Sequence, residues 1–250
     1  MQAAYDPIAD WYDTQVRASD GLLPFHMLAI DALLGLVGDV KGRDACDLAC
    51  GQGILTRELA QRGARVVGVD LSQRLLDIAQ REEADAPLGA KYRRDDAQTL
   101  ATLADASFDA VTCNLALMDI PDFEATGSAV RRVLRPGGAF TFSITHPCIV
   151  PPGSWWTTVG EGGPGRHVRG YFSEGYATLP DAPGVRGRVG THHRTLATYL
   201  NTLADAGFTL ERIVEPQATG AAAARQPGAV EAPMFLVARF RREPTSAAGA

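Results

Sequence analysis

The stretch "RDACDLACGQGILTRELAQRGARVVGVDLS", residues 43–72, decides the fold. A short apolar run, "DACDLAC", leads into Gly51 and Gly53. The segment "ILTRELAQR" follows, with Ile54, Leu55 and Leu59 on one helical stripe and Gly63 placed to end it. A second compact apolar run, "RVVGVD", stops at the acid Asp70. Small residues at the end of a strand let the backbone turn tightly into a helix and let a ligand approach the main chain. Gly51 and Gly53 suit that turn, with Ala49 in a small-residue role. A carboxylate at Asp70 can accept both hydroxyls of a ribose. The unit implied is strand, loop, helix and strand around a nucleoside-containing cofactor.

Outward from this unit the same rhythm repeats. Residues 22–37, "LLPFHMLAIDALLGLV", read as a helix before the first strand. Residues 72–84 read as another, with Ser72 as its N-cap. "AKYRRDDA" is a weaker third strand and "SFDAVTCNLAL" a fourth, entered from a turn near Asp105. A helix over 122–135 is expected to stop at Pro136-Gly137-Gly138, before a fifth strand, "AFTFSITH". Strands separated by helices imply a parallel sheet covered on both faces. After residue 146 the composition turns to glycine, proline and aromatics, which reads as an insert with a short hairpin over the carboxyl ends of the strands. The helix "TLATYLNTLADAG" and the strands "FTLERIVEP" and "MFLVARF" come last, with "QATGAAAARQPGAVEA" read as a low-complexity loop between those strands.

Composition narrows the function classes. The 250 residues are 46% hydrophobic with a net charge of −5, enough for one large domain with a substantial core. No basic block supports a nucleic-acid partner. No apolar run is long enough for a membrane span, and "MQAAYDPIADWYD" does not read as a signal peptide. Cys46 and Cys50 stand four apart, one on a strand and one in the loop after it, and no CxxC pair exists. No metal site is expected, and reduced, buried cysteines suit a cytoplasmic protein.

The glycine loop also narrows the cofactor. A dinucleotide site wants G-x-G-x-x-G; here the run is D-x-A-C-G-x-G, without the third glycine. Asp47, at the end of the first strand, would repel a pyrophosphate and favour an ammonium group. Those residues resemble the class I S-adenosylmethionine-dependent methyltransferases. "DLACGQG" is similar to their first glycine-rich motif, "DDAQTL" to the stretch after strand three, "NLALMDI" to the fourth motif, and "VLRPGGAFTFSITHP" to the turn and fifth strand. The resemblance covers residues 40–146. It implies a doubly wound, Rossmann-like α/β fold with a seven-stranded, mostly parallel sheet and a lid insert after strand five. It further implies that the glycine loop lies against the amino-acid part of S-adenosylmethionine. Asp70 with Leu71 would then hold the ribose, Asp96 and Ala97 the adenine, and Asn114 and Leu115 the boundary between cofactor and substrate. "YDPIADWYD" resembles the N-terminal segment of small-molecule members, in which Tyr5 and Tyr12 would close over the cofactor.

Candidates for chemistry are fewer. His146 stands at the end of strand five, the functional end of such a sheet. In "GTHHRTLATYLNTLADAGF" the resemblance selects His193 and Arg194, with Tyr199 on the following helix; the structural reading is that Thr195 caps that helix and Arg194 pairs with an acid. His26 reads as structural, and His167 falls in the insert. Trp155 and Trp156 are expected to wall an apolar pocket or to build a satellite core, and Arg166, Arg169 and Arg188 to face an anionic substrate or solvent.

The organisation expected is an N-terminal helical cap (1–36), a cofactor-binding core (37–146), a substrate-side insert (147–190), the C-terminal part of the same domain (191–242) and a disordered tail (243–250). The reading is methyl transfer from S-adenosylmethionine to an oxygen, nitrogen or carbon of a small molecule, with no nucleic-acid or membrane partner. A homodimer through the N-terminal helix or the insert stays open. The alternatives are an NAD-dependent oxidoreductase and a non-catalytic scaffold that binds the cofactor. Base methylation is disfavoured because the fourth motif lacks N/D-P-P-Y/F.

Overall fold

The computed structural model describes residues 3–18, 22–157, 165–179 and 184–244; the tail residues 245–250 lie outside the described residues. Helices α1 (Ala9–Arg17) and α2 (Leu23–Val37) precede strand β1 (Asp44–Leu48). Then come α3 (Ile54–Gln61), β2 (Arg65–Asp70), α4 (Gln73–Asp85), β3 (Lys91–Arg94), β4 (Phe108–Asn114), α5 (Phe123–Val133) and β5 (Leu134–Thr145). The insert carries β6 (Trp155–Thr157), β7 (Gly165–His167), β8 (Gly175–Ala177) and α6 (Val185–Val189). The chain ends through β9 (Thr191–His193), α7 (Leu196–Asp205), β10 (Phe208–Val214), α8 (Gly220–Arg225) and β11 (Phe235–Arg242).

Seven strands form one sheet in the order β10-β11-β5-β4-β1-β2-β3, and only β11 runs antiparallel to its neighbours. The chain winds outward from β1 to β3, then returns to place β4 on the other side of β1. This reversal opens a crevice at the carboxyl ends of β1 and β4, where such sheets bind ligands. The period-two alternation of strands divides the core between the two faces. Ala45, Val66 and Val237 pack with Leu33, Val37, Leu55 and Leu59 of α2 and α3. Cys46, Val111 and Phe142, on the other face, pack with Val130 and Val133 of α5 and Tyr199 and Leu203 of α7. The buried thiols of Cys46 and Cys113 therefore act as small apolar groups. The edge strand β3 is charged and largely exposed, which blocks further strand addition. No helix among the described residues is long and apolar enough to cross a membrane.

Helix starts follow local chemistry. The hydroxyl of Ser72 accepts from Leu75 N–H at 3.2 Å, and that of Thr195 from Thr198 N–H at 3.1 Å. Two expectations need correction. Pro136-Gly137-Gly138 does not terminate a helix reaching 135, because α5 stops at Val133 and β5 takes in the tripeptide. The tripeptide is a bulge: pairing jumps from Leu134 to Ala139 while β4 advances from Phe108 to Ala110, and Gly137 sits at φ +78°. The segment 217–232 is not a plain loop either. It forms α8 and a 3₁₀ turn at Pro227–Val230, because Ala218, Ala222 and Ala229 bury themselves against Phe25 and Leu28 of α2.

The insert holds the hairpin expected, β6 with β7, and β8 pairs with β9 in a second. That second hairpin closes beyond residue 190, the boundary read from the sequence.

The carboxylate of Asp122 caps α5 by accepting from Ala125 N–H at 2.8 Å. Asp122→Ala is expected to cost about 1 kcal/mol of stability, read as a lower midpoint in urea denaturation with an unchanged slope.

Candidate active site

After β1 the chain turns through Ala49 (φ +52°), Gly51 (φ +55°) and Gly53 (φ +86°), all in the left-handed region. The two glycines serve different ends. A Cβ at Gly51 would meet only Leu75 Cδ1, at 3.9 Å, on the cavity side. At Gly53, the N-cap of α3, it would stand 2.6 Å from the Tyr92 hydroxyl. Gly51 therefore clears a ligand's path, whereas Gly53 makes room for the neighbouring strand.

Beneath this loop lies a cavity of about 290 Å³ at the carboxyl ends of β1 to β4. Asp47 sits at its floor, where its carboxylate accepts from the hydroxyls of Thr56 at 2.6 Å and Thr112 at 3.0 Å. Burial pushes its pKa up to about 7, against the pull of both hydroxyls. Asp70 accepts from the N–H groups of Gly51 and Ser72, each at 2.8 Å, and burial raises its pKa to about 6. Asp70 lines the cavity, and a carboxylate has about four acceptor sites, so it has capacity for a ligand's hydroxyls beyond these bonds. Leu71, Ala97, Asn114 and Leu115 add to the wall. Leu115, at φ +53°, is held by Ser143, whose hydroxyl also donates to Asn114 Oδ1 at 2.6 Å. Asp96 lines the cavity, while its neighbour Asp95 is spent on Thr102 and on the N–H groups of Asp96 and Ala101.

The N-terminal segment covers this space. Tyr5 and Tyr12 meet edge to face with centroids 5.1 Å apart, and both line the cavity. The Tyr5 hydroxyl donates to Asp119 Oδ2 at 2.9 Å, and burial with that carboxylate lifts its pKa well above the usual phenol value. Asp119, on the turn after β4, also pairs with Arg186 of α6 in the insert. His26, from α2, faces the same cavity, and burial lowers its pKa to about 4.

A second cavity, of about 250 Å³, adjoins the first and shares Met118, Thr191 and His192 with it. The two differ in charge. Five carboxylates and no lysine or arginine line the first among the described residues. Arg166, Arg186, Arg194 and His193 join His192 in the second, with no carboxylate among the described residues. The Arg194 guanidinium, 8% exposed, donates to the carbonyls of Leu117, Ile120 and Pro121.

Residues 46–142 match the family of methyltransferase domains. A solved S-adenosylmethionine-dependent methyltransferase from Mesorhizobium loti is 33% identical, and the alignment covers 85% of this chain and 96% of that one with a TM-score of 0.71. The chain belongs to the class I S-adenosylmethionine-dependent methyltransferases. Ubiquinone biosynthesis O-methyltransferases from Alkalilimnicola ehrlichii and Methylococcus capsulatus are 33% and 36% identical to this methyltransferase over 145 and 138 residues. Those alignments cover 58% and 54% of this chain, and the chain spans only 58% and 56% of those relatives' lengths.

The residues present in this methyltransferase suit the family's cofactor. A cavity with five carboxylates and no fixed cation attracts a sulfonium and an ammonium group, and repels the pyrophosphate of a dinucleotide. Of the residues expected to hold cofactor, all but Gly53 line this cavity.

The candidates for chemistry are distributed differently. His146 lines neither cavity. Its Nε2 lies 2.6 Å from Glu215 Oε1, and its Nδ1 accepts from Cys148 N–H at 3.2 Å, so both ring nitrogens are spent. His193 borders the second cavity, with Nε2 donating to the Tyr171 carbonyl at 2.8 Å. Arg194 and Tyr199 also border it, but Arg194 binds carbonyls rather than an acid. Trp155 and Trp156 line neither cavity. The first is half exposed and stacks on His167 at 4.9 Å; the second packs against Gly228 and under Arg166. Of the other insert arginines, Arg188 stacks on Trp11 at 4.1 Å.

Sequence reasoning did not select His192 or Asp119, and it took His26, which lines the cofactor cavity, as structural. The adjacent histidines point to opposite faces of β9, and only the pairing with β8 decides which meets the cofactor cavity.

The glycine loop separates packing from binding. Gly53→Ala is expected to cost about 1–3 kcal/mol through left-handed strain and displacement of Tyr92. Gly51→Ala should cost only about 1 kcal/mol and act mainly on cofactor affinity. Urea denaturation and calorimetric titration of the two variants check this.

Proposed function

We propose that this chain transfers the methyl group of S-adenosylmethionine to a nucleophilic oxygen, nitrogen or carbon of a small molecule. The observation that carries the reading is the pair of adjoining cavities with opposite charge, one acidic and one basic, that share the wall of Met118, Thr191 and His192. When bound, the cofactor supplies a methyl group made electrophilic by its sulfonium. Asp70 would hold the ribose hydroxyls, Asp96 the adenine amine, and the loop at Gly51 the amino-acid part. Tyr5 and Tyr12 close the site and exclude water. The remaining work is positioning, since an aligned donor and acceptor gain most of their rate from proximity.

Where the acceptor must lose a proton, we assign that role to His192. It lines both cavities, and burial with the nearby Arg194 lowers its pKa, so it is neutral and able to take a proton at pH 7. His193 positions the cavity wall through Tyr171, and His146 fastens the root of the insert to Glu215. The acidic first cavity, with no cation to meet a pyrophosphate, disfavours the oxidoreductase alternative.

Calorimetric titration tests the cofactor. S-adenosylmethionine is expected to bind in the micromolar range, NAD not measurably, and Asp70→Asn should weaken binding by about tenfold or more. Binding should also depend on pH. The Asp70 carboxyl, raised to about 6 in the free protein, must be ionised to accept two hydroxyls beside a sulfonium. Affinity therefore rises with pH, weaker by about tenfold or more at pH 5 than at pH 7, and Asp70→Asn removes the part centred near pH 6 while leaving that of Asp47 near pH 7. Tighter binding of NAD than of S-adenosylmethionine sinks the reading.

Methyl transfer from labelled S-adenosylmethionine, screened across small-molecule acceptors, tests the activity. With an acceptor in hand, His192→Gln is expected to lower kcat by about a hundredfold with the cofactor's Kd unchanged.

A further inference from the structure

The second cavity joins two features that rarely occur together. Its body is apolar, walled by Met118, Pro147, Val150, Leu179 and Tyr199. Its permanently charged groups are all cationic: Arg166, Arg186 and Arg194, with no carboxylate among the described lining residues. Arg186 is neutralised by Asp119. Among the described residues Arg194 is not paired with any acid; its charge is met by the carbonyls of the turn that separates the cavities and by the rings of Phe123 and Tyr199. Arg166 has no acidic partner among the described residues either. Its Nε donates to the Ile149 carbonyl at 2.8 Å and its Nη2 to the Ser154 hydroxyl, leaving Nη1 without a hydrogen bond among the described residues. Its ring-stacked position on Trp156 fixes the fork, with the guanidinium carbon 4.9 Å from the indole centroid.

Two guanidinium groups without counterions beside a half-enclosed apolar space are costly unless an anion completes them. Planar forks held in place by carbonyls and an indole are pre-organised for a carboxylate or phosphate. We infer that the second cavity is the acceptor pocket and that it takes a molecule with an apolar body and an anionic head group, carboxylate or phosphate, bound by Arg166 with Arg194 behind it. This rests on the methyltransferase reading and names the substrate class of that same site. The head group lies at the Arg166 end, and the apolar body extends toward the shared wall at Met118 and His192, where the atom to be methylated would stand. Charge also sorts the ligands. An anionic acceptor is repelled by the acidic first cavity and a cationic cofactor by the basic second one, so neither occupies the other's place.

The test is calorimetric titration of the full-length enzyme, with and without saturating S-adenosylhomocysteine, using benzoate, phenyl phosphate and the neutral isostere benzamide. At least one anion is expected to bind at millimolar concentration or better, about tenfold more tightly than benzamide, with affinity falling as salt rises. Tighter binding of benzoate than of phenyl phosphate assigns a carboxylate head, and the reverse order a phosphate. Arg166→Gln should abolish the preference for the anion, while Arg166→Lys retains part of it; unchanged S-adenosylhomocysteine affinity in both variants shows that the fold is intact. Equal binding of benzoate and benzamide, an Arg166→Gln protein that keeps its preference, or no anion binding by the loaded enzyme overturns the inference. Failure of S-adenosylhomocysteine to bind strikes instead at the methyltransferase reading.

Discussion

The buried carboxylate of Asp47 is the constraint on which the site depends. It ends β1, receives the hydroxyl of Thr56 from α3, and receives the hydroxyl of Thr112 from β4. A carboxylate removed from water is costly, and these bonds hold it where the two halves of the sheet diverge. The loop above it leaves β1 through three successive left-handed positions, Ala49, Gly51 and Gly53, so the chain changes direction within a few residues. Gly51 N–H then meets Asp70 across β2. The strand ends, the first helix and the acid of the second strand are thereby fixed relative to one another before any ligand arrives, as pre-organised binding requires.

Charge is the second organising feature. A chain with only a modest negative balance segregates its ionisable groups at one point, with carboxylates on the cofactor side of the Met118–Asp119 turn and guanidinium groups on the other. The turn itself is neutral in sum, because Asp119 faces Arg186 across it, and Arg194 holds its carbonyls from behind. Removing Arg194 would take a charged donor from those carbonyls and loosen the wall between the cavities. Its part is to hold the partition, and the two sites keep their contrast only while the partition stands.

Much of this was legible in the sequence, for physical reasons that differ by region. The parallel core declared itself because buried strands and amphipathic helices have distinct periods, and Ser72 and Thr195 announced their helices through side chains that can only cap there. The cofactor side was legible because one strand–loop–helix unit supplies most of it. The acceptor side was legible only in part. Arg166 stood out as a cation in the insert, and the family resemblance pointed to His193, Arg194 and Tyr199. His192 did not, because it lies on a strand of three residues, where the facing of a side chain depends on register that no local pattern encodes. Adjacent aromatic residues signal packing without saying against what; Trp156 is half-buried against Gly228 and beneath Arg166, and it lines neither cavity. The alanine-rich segment near residue 220 read as a loop because its order comes from packing on α2, a partner nearly 200 residues away.

The contact of Tyr5 and Arg186 with one carboxylate has a consequence for how the site opens. The N-terminal segment and the insert are remote in sequence, yet each relies on Asp119 to complete its buried polar group. If the insert swings away, Tyr5 is left facing a carboxylate stripped of its cation; if the N-terminal segment peels off, the ion pair opens to water and weakens. Neither cover can leave without loosening the other. Through this shared carboxylate the two covers are coupled, so opening on the acceptor side would also loosen the cover over the cofactor.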